Sequence, residues 1–184
     1  MLFVAALQAV VSLLSEQHGW KLWFLPWWSW LILVVPELLL AASLLGGRRG
    51  YQIYFIAVMS VGILFLLTAL IGSVVSGREH GGGELLLKGL AVWSTNVAAF
   101  GLAFWELEKR TEDEKFQFPQ METSSDWEPH FFDYFYVAFT NSIAFSPTDA
   151  MPLTRFTKLL MLVESAISAI AILLVAARAV NIFK

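Results

Sequence analysis

Oxygen-bearing side chains are concentrated in one short stretch of an otherwise apolar chain. Hydroxyl, amide and carboxylate oxygens are ligands for hard cations, and rings of acidic residues attract cations in channels. The sequence therefore offers two interpretations that stay open, a filter-like loop for cations or a polar cap that only satisfies buried backbone groups. The stretch comprises Thr140, Asn141, Ser142, Ile143, Ala144, Phe145, Ser146, Pro147, Thr148 and Asp149.

A second set of polar and small residues lies in the last apolar segment, at steps of four, three, four and three. This spacing places the set on one face of a helix. Ionisable groups inside a membrane span cost several kcal/mol and usually face a protein interior or water. The stripe therefore either lines a water-filled pore or packs against another helix, where small residues allow close approach. It comprises Glu164, Ser168, Ala171, Val175 and Arg178.

Three other polar positions are weaker signals. Ser94-Thr95-Asn96 lies in the middle of an apolar run, where such side chains bond a neighbouring helix. Glu37 follows Pro36, which indicates a kink, and its carboxylate is either buried or paired. His130 and Asp133 are three residues apart, and we interpret them as the polar start of a short helix, with a pH-sensing pair as the alternative.

Most enzymatic and cofactor chemistry is excluded by residue type. The chain has no Cys and only three His, and it contains no HExxH, no Ser-His-Asp spacing and no phosphate-binding glycine loop. We therefore expect no catalytic residues, no metal site and no cofactor. The net charge of −3, without a basic stripe, argues against nucleic acid as a partner.

The composition is that of a membrane protein. Of the 184 residues, 58% are hydrophobic and only 15% are charged, against about 25% charged in soluble domains. A helix needs about 20 apolar residues to cross the bilayer. The sequence predicts an all-α membrane protein with four strong spans, at 22–45, 51–75, 85–105 and 156–182, and a marginal fifth at 1–14. The predicted regions are 1–105 (helical membrane region), 106–129 (acidic extramembrane linker) and 130–184.

The third region begins with a segment that is neither a span nor a surface loop. Residues 130–140 predict a short aromatic helix, about half a membrane in length, and Pro147 then prevents a helix from continuing. Irregular backbone at membrane depth is tolerated only when protein or a water-filled cavity shields it. We therefore predict a re-entrant half-helix and loop before the final transmembrane helix, and an oligomer that shields it.

This region resembles the pore domain of the tetrameric, potassium-channel-like cation channel superfamily over residues 131–181. Phe139-Thr140 falls where those channels end their pore helix, and Asp149 falls where they place an aspartate after the filter. Pro152 and Thr154 also match residues that many of them carry. The resemblance implies a homotetramer with the loop outside and the C-terminus inside, although seven basic residues against five slightly favour the opposite orientation.

A closer resemblance, over more of the chain, is to an uncharacterised family of prokaryotic integral membrane proteins. It is carried by Phe-Pro-Gln at 118–120, AFSPTDAMPLTR at 144–155 and AARAVNIF at 176–183. This resemblance brings no established activity, and it implies residence in the plasma membrane, the inner membrane of a bacterium.

The chain departs from potassium channels at the filter itself. Ser146 and Thr148 stand where those channels have glycines, and Pro147 stands where they have an aromatic residue. Ser and Thr adopt positive φ only with strain, so a stack of backbone carbonyl rings is not expected. The expected function is an ion-channel-like protein for monovalent or divalent cations, without potassium selectivity by the usual motif. The alternative is a non-conducting structural or accessory membrane subunit.

Overall fold

The protein is almost entirely helical. A computed structural model describes residues 2–22, 25–32, 34–45, 52–77, 81–110, 114–123, 126–146 and 150–182, and 82% of the structure is helix. The helices are α1 (Leu2–His18), α2 (Val34–Leu45), α3 (Gln52–Val75), α4 (Gly82–Arg110), α5 (Pro119–Thr123), α6 (Phe131–Ala144) and α7 (Arg155–Ile182). A 3-10 helix covers Trp27–Ile32, and two short strands, β1 (Phe116–Gln117) and β2 (Met151–Pro152), pair antiparallel.

Three helices of the described chain are long and apolar enough to cross a membrane. They are Ile56–Val75 within α3, the whole of α4, and Arg155–Ala177 within α7. Each is an apolar run of at least 20 residues, which suffices for about 30 Å of hydrocarbon. The second, third and last predicted spans therefore correspond to spanning helices, and their apolar surfaces are compatible with contact with a lipid bilayer.

The first predicted span, 22–45, is not one long helix in the described residues. The 3-10 helix is followed by α2, which has only 12 residues and is about 18 Å long. The break has a local cause, because Pro26 precedes the 3-10 helix and its carbonyl accepts hydrogen bonds from both the backbone N–H and the hydroxyl of Ser29. Pro36 is tolerated only because it lies in the first turn of α2.

The N-terminal helix α1 is longer than the predicted apolar segment 1–14. It has 17 residues, and one face, including Val4, Gln8 and Val11, is buried. The helix ends at His18, where Gly19 adopts a φ of +67°, the left-handed conformation that stops a helix. At about 25 Å it remains shorter than the helices that can span.

The segment 106–129, predicted as a solvated linker, is partly folded. It contains the end of α4, strand β1 and helix α5. Phe116 and Phe118 are buried, and their rings lie 5.9 and 5.4 Å from that of Tyr134. Within the described residues, the linker is therefore anchored by aromatic contacts to α6 rather than solvated throughout.

The chain divides into two compact units. One comprises Met1–Thr95 with Ile170–Lys184, and the other comprises Asn96–Ala169. The first unit contains α1 to α3, in which α1 packs against the 3-10 helix and α2, and α2 packs against α3. The second unit contains α5, α6, both strands and the adjoining parts of α4 and α7, and it holds most of the predicted functional residues.

Candidate functional site

Helix α6 runs antiparallel to α4 in the second unit. The rings of Phe131 and Trp105 lie 5.6 Å apart. One turn further along α6, the backbone of Phe135 passes so close to Gly101 that a Cβ atom on Gly101 would lie 3.1 Å from Phe135 Cα. Because residue numbers rise along α6 as they fall along α4, α6 proceeds from the Trp105 end towards Asn96.

Local interactions define the start of α6, and the backbone conformation of Phe145 defines its end. At its start, the backbone N–H of His130 donates a 2.7 Å hydrogen bond to Asp133 Oδ2, while the His130 ring contacts the Glu128 carbonyl. His130 and Asp133 therefore cap the helix, as the interpretation of a polar helix start expects. At its end, Phe145 adopts a φ of 55° and stops the helix.

The helix continues four residues beyond the predicted end at Thr140, through Ala144. Asn141 and Ser142 therefore belong to its buried face, together with Tyr134, Val137 and Ala138. The spacing of three and four residues is the reason, because it places all five on one side of the helix. The predicted irregular loop is shorter at its beginning than the sequence suggested.

The predicted filter-like residues separate into three groups. Thr140 is half-buried and its hydroxyl donates to the Tyr136 carbonyl of its own helix. Asn141 and Ser142 are buried in the chain, whereas the residues from Ile143 to Ser146 are exposed. Pro147, Thr148 and Asp149 lie outside the described residues.

A buried polar cluster joins three helices of the second unit. It consists of Asn96 on α4, Asn141 on α6, and Glu164 and Ser168 on α7, and we call it the Glu164 cluster. Asn141 Nδ2 donates to Glu164 Oε2 at 2.8 Å and to the Met161 carbonyl at 3.0 Å. Asn96 Nδ2 donates to the Glu164 carbonyl at 3.0 Å and to Ser168 Oγ at 2.9 Å.

The Glu164 cluster has more acceptors than donors. Asn96, Glu164 and Ser168 have no exposed surface, and that of Asn141 is 2%. Glu164 Oε1 and Asn96 Oδ1 are both buried without a hydrogen-bond partner. The Glu164 carbonyl sets the orientation of the Asn96 amide, because exchanging the amide oxygen and nitrogen would place the oxygen against a carbonyl that can only accept.

Three residues of the predicted stripe on α7, Glu164, Ser168 and Ala171, are buried, and Val175 is half-buried. Glu164 and Ser168 contact Asn96 in the second unit. In the first unit, Ala171 is buried, and Gly89 of α4 lies so close to α7 that a methyl group on it would overlap Val175. Small residues allow this close approach. The side chain of Arg178 lies outside the described residues.

A second buried polar cluster lies in the first unit. Gln8 Nε2 donates to Glu37 Oε1 at 2.7 Å and to Thr95 Oγ1 at 2.8 Å. Glu37 is thus both buried and hydrogen-bonded, and Thr95 bonds a neighbouring helix, as the sequence suggested. Gln8 was missed, although a lone amide inside the apolar segment 1–14 was the available signal.

A buried ion pair in the first unit was also missed. Lys88 Nζ lies 2.5 Å from Glu84 Oε1 and donates to the Lys21 carbonyl at 2.9 Å. Neither side chain is more than 1% exposed. Their spacing of four residues on one helix was the available signal for a pair.

Tyr134 is the most perturbed group near the start of α6. Burial raises the pKa of its hydroxyl above the ordinary value, and the carboxylates of Glu108 and Asp133 raise it further. Tyr134 therefore stays neutral and contributes a packed ring. Among the described residues, no three His, Asp or Glu side chains lie close enough together to hold a metal ion.

Comparison of the chain with protein-family models, with curated proteins and with solved structures finds no match. The site must therefore be interpreted from its own geometry.

Proposed function

We propose that the protein is an oligomeric, ion-channel-like membrane protein in which α6 and the following loop form a re-entrant segment. The carrying observation is the pairing of β1 with β2, because the chain between these two strands contains α5, α6 and the loop that follows α6. Phe116 pairs with Pro152, Gln117 pairs with Met151, and the Leu153 N–H donates to the Lys115 carbonyl at 2.9 Å. A segment whose two ends are joined in this way leaves and returns at the same place.

The length of α6 supports a segment that enters the bilayer without crossing it completely. With 14 residues it is about 21 Å long, less than the roughly 30 Å of a bilayer core. Near its end, Asn141 bonds Met161 and Glu164, which lie six and nine residues into α7 from Arg155. At 1.5 Å per residue, this contact lies roughly 9 to 14 Å along α7 from its start.

The tip of the segment supports an oligomer. Phe145 and Ser146, which follow the last residue of α6, are exposed. Lipid cannot satisfy the hydrogen-bonding groups of irregular backbone, so neighbouring copies or a water-filled cavity must. We propose a homotetramer in the plasma membrane, the bacterial inner membrane, with the 143–149 tips around the axis.

In this arrangement the oxygens of Ser146, Thr148 and Asp149 attract monovalent or divalent cations, as acidic and hydroxyl rings do in cation channels. The substitution of Ser146 and Thr148 for glycines argues against potassium selectivity. We further propose a fourth span, formed by the 3-10 helix and α2 together, and an orientation with the tips outside and the C-terminus inside.

One observation favours a second candidate, a non-conducting structural or accessory subunit. Asn141, Ser142, Glu164 and Ser168 are buried within their own chain. Side chains engaged in this way hold the half-helix in place and do not line a water-filled path. Conduction would then depend on residues 143–149 alone.

Ion flux into liposomes that contain the purified protein separates the two functions. The channel proposal expects cation flux that Asp149→Asn reduces and that Glu114→Gln, which removes an exposed carboxylate elsewhere, leaves unchanged. Absence of flux for sodium, potassium, magnesium and calcium would favour the structural subunit. A tetramer with converging 143–149 segments, observed by cryo-electron microscopy, would support the architecture independently.

A further inference from the structure

We infer that Glu164 is a proton-binding residue whose carboxyl group is held as the neutral acid in the folded protein, with Asn96 Oδ1 as the acceptor of its proton. The proposed proton on Glu164 does not depend on whether the protein conducts ions.

The hydrogen-bond inventory of the cluster supports this assignment. Two side-chain amide groups donate hydrogen bonds to Glu164: Asn141 donates to Oε2, and Asn96 donates to the main-chain carbonyl. The two oxygens left without a donor are Glu164 Oε1 and Asn96 Oδ1. A hydrogen atom on Oε1 turns that oxygen into a donor, and we assign Asn96 Oδ1 as its acceptor because it is the other oxygen of the cluster that lacks a donor.

The charge of the surroundings also favours the neutral acid. Glu164 is fully buried on an apolar helix, and none of its hydrogen-bond partners in the described chain carries a charge. An isolated carboxylate in such a place is costly, and buried carboxyl groups without a cation take up a proton instead. Along each helix, the nearest charged residues lie six or more positions in sequence from the cluster residue: Lys88 and Glu106 on α4, Asp133 on α6, and Lys158 and Arg178 on α7.

A bound metal cation explains the cluster less well than a proton. Calcium takes six to eight oxygen ligands and magnesium requires six. Within the Glu164 cluster, two buried side-chain oxygens lack a hydrogen-bond partner, Glu164 Oε1 and Asn96 Oδ1. A proton needs one base and one acceptor, which is the number that the cluster supplies.

The position of the proton links it to the half-helix. Asn141, near the end of α6, is attached to α7 through Glu164 Oε2 and the Met161 carbonyl. Loss of the proton would leave a charged group in a cluster without a donor for Oε1, and water or a cation would have to enter. The protonation state of Glu164 is therefore coupled to how firmly the end of α6 is held.

Infrared difference spectroscopy tests the inference directly. The spectrum of the wild-type protein minus that of Glu164→Gln, at neutral pH in lipid, is expected to contain the C=O stretch of a protonated carboxylic acid that shifts in D2O. Glu114→Gln is the matched control, because its exposed carboxylate should contribute only carboxylate bands. Carboxylate bands in the Glu164→Gln difference, or bands that shift with added sodium or potassium, would overturn the inference.

A second variant keeps the test valid if Glu164→Gln does not fold. Asn96→Ala removes the proposed acceptor, so the acid band of Glu164 should persist and move to higher wavenumber as its hydrogen bond is lost. An unchanged band position would contradict the assignment of Asn96 Oδ1 as acceptor.

Thermal unfolding as a function of pH gives an independent measurement. If Glu164 is protonated when folded and ionised when unfolded, the folded state binds more protons, and stability falls as pH rises above the ordinary range of Glu. The melting temperature of the wild-type protein should therefore fall with rising pH relative to that of Glu164→Gln, while Glu114→Gln follows the wild type. Parallel curves for the wild-type protein and Glu164→Gln would argue against a proton on Glu164.

Discussion

Asn141 Nδ2 lies 2.8 Å from Glu164 Oε2, in a hydrogen bond that joins the end of α6 to the middle of α7. The same amide donates to the Met161 carbonyl, and the hydroxyl of Ser165 donates to the Asn141 carbonyl at 3.3 Å. A short helix that would otherwise end in an unsupported loop is thereby attached to a helix long enough to span. These bonds fix the end of α6 against α7, and the segment that follows starts from this fixed point.

Replacement of Asn141 should loosen this attachment. In Asn141→Ala, Glu164 Oε2 loses its donor while it stays buried, which costs about 1–3 kcal/mol of unfolding free energy. Thr140→Val is the matched control, since the Thr140 hydroxyl bonds only carbonyls of its own helix, and a change within about 0.5 kcal/mol is expected. Denaturant unfolding in detergent micelles measures both values. Equal effects of the two substitutions would contradict the role of Asn141.

The contact between Gly101 and Phe135 should tolerate no side chain. In Gly101→Ala the new methyl group lies 3.1 Å from the Phe135 backbone, so α6 must move away from α4, and we expect a loss of about 1–3 kcal/mol. Gly83→Ala, also on α4, faces open space and should be neutral or stabilising by about 0.4–1 kcal/mol. Melting temperatures of the two variants, compared with the wild type, test this. A Gly101→Ala variant as stable as Gly83→Ala would show that the helices do not approach so closely.

The long helices were predictable because their signal is local. The segments that became α3, α4 and α7 are apolar over 20 residues or more, and a helix in hydrocarbon satisfies its own backbone. The first predicted span, 22–45, is not one continuous helix for a reason also present in the sequence, because Pro26 and Pro36 lie within it.

The parts of the site that depend on distant partners were not predictable. Phe116 and Phe118 lie in a segment with many charged residues, and their burial is explained by ring contacts with Tyr134, Phe104 and Trp127 and by the pairing of β1 with β2. Glu164 was recognised as exceptional from its place in an apolar segment, but nothing local indicated that Asn96 and Asn141 would be its partners. They lie 68 and 23 residues away along the chain.

The ion pair between Lys88 and Glu84 should stabilise the first unit only while both partners are present. Lys88→Met removes the cation that contacts the buried Glu84 carboxylate, and breaking a buried ion pair in this way costs about 3–5 kcal/mol. The double variant Glu84→Gln/Lys88→Met removes both charges and should recover part of this loss. Lys158→Met, which removes an exposed amine on α7, should change stability by no more than about 0.5 kcal/mol.

A double-mutant cycle on these two positions gives the coupling between them, measured from unfolding free energies in detergent. A coupling energy near zero would contradict a stabilising ion pair between Glu84 and Lys88. A Lys88→Met variant that is no less stable than Lys158→Met would contradict it as well.

The spanning of α4 can be tested with single cysteines, because the chain has none of its own. Ser76 precedes α4 and Glu114 follows it, and both are exposed. If α4 crosses the bilayer, Ser76→Cys and Glu114→Cys lie on opposite sides, since 29 residues of helix are about 44 Å long. In the proposed orientation, a membrane-impermeant maleimide added to intact cells should label Glu114→Cys and should label Ser76→Cys only after the membrane is permeabilised. Labelling of Ser76→Cys alone in intact cells would reverse the orientation, and labelling of both would show that α4 does not span.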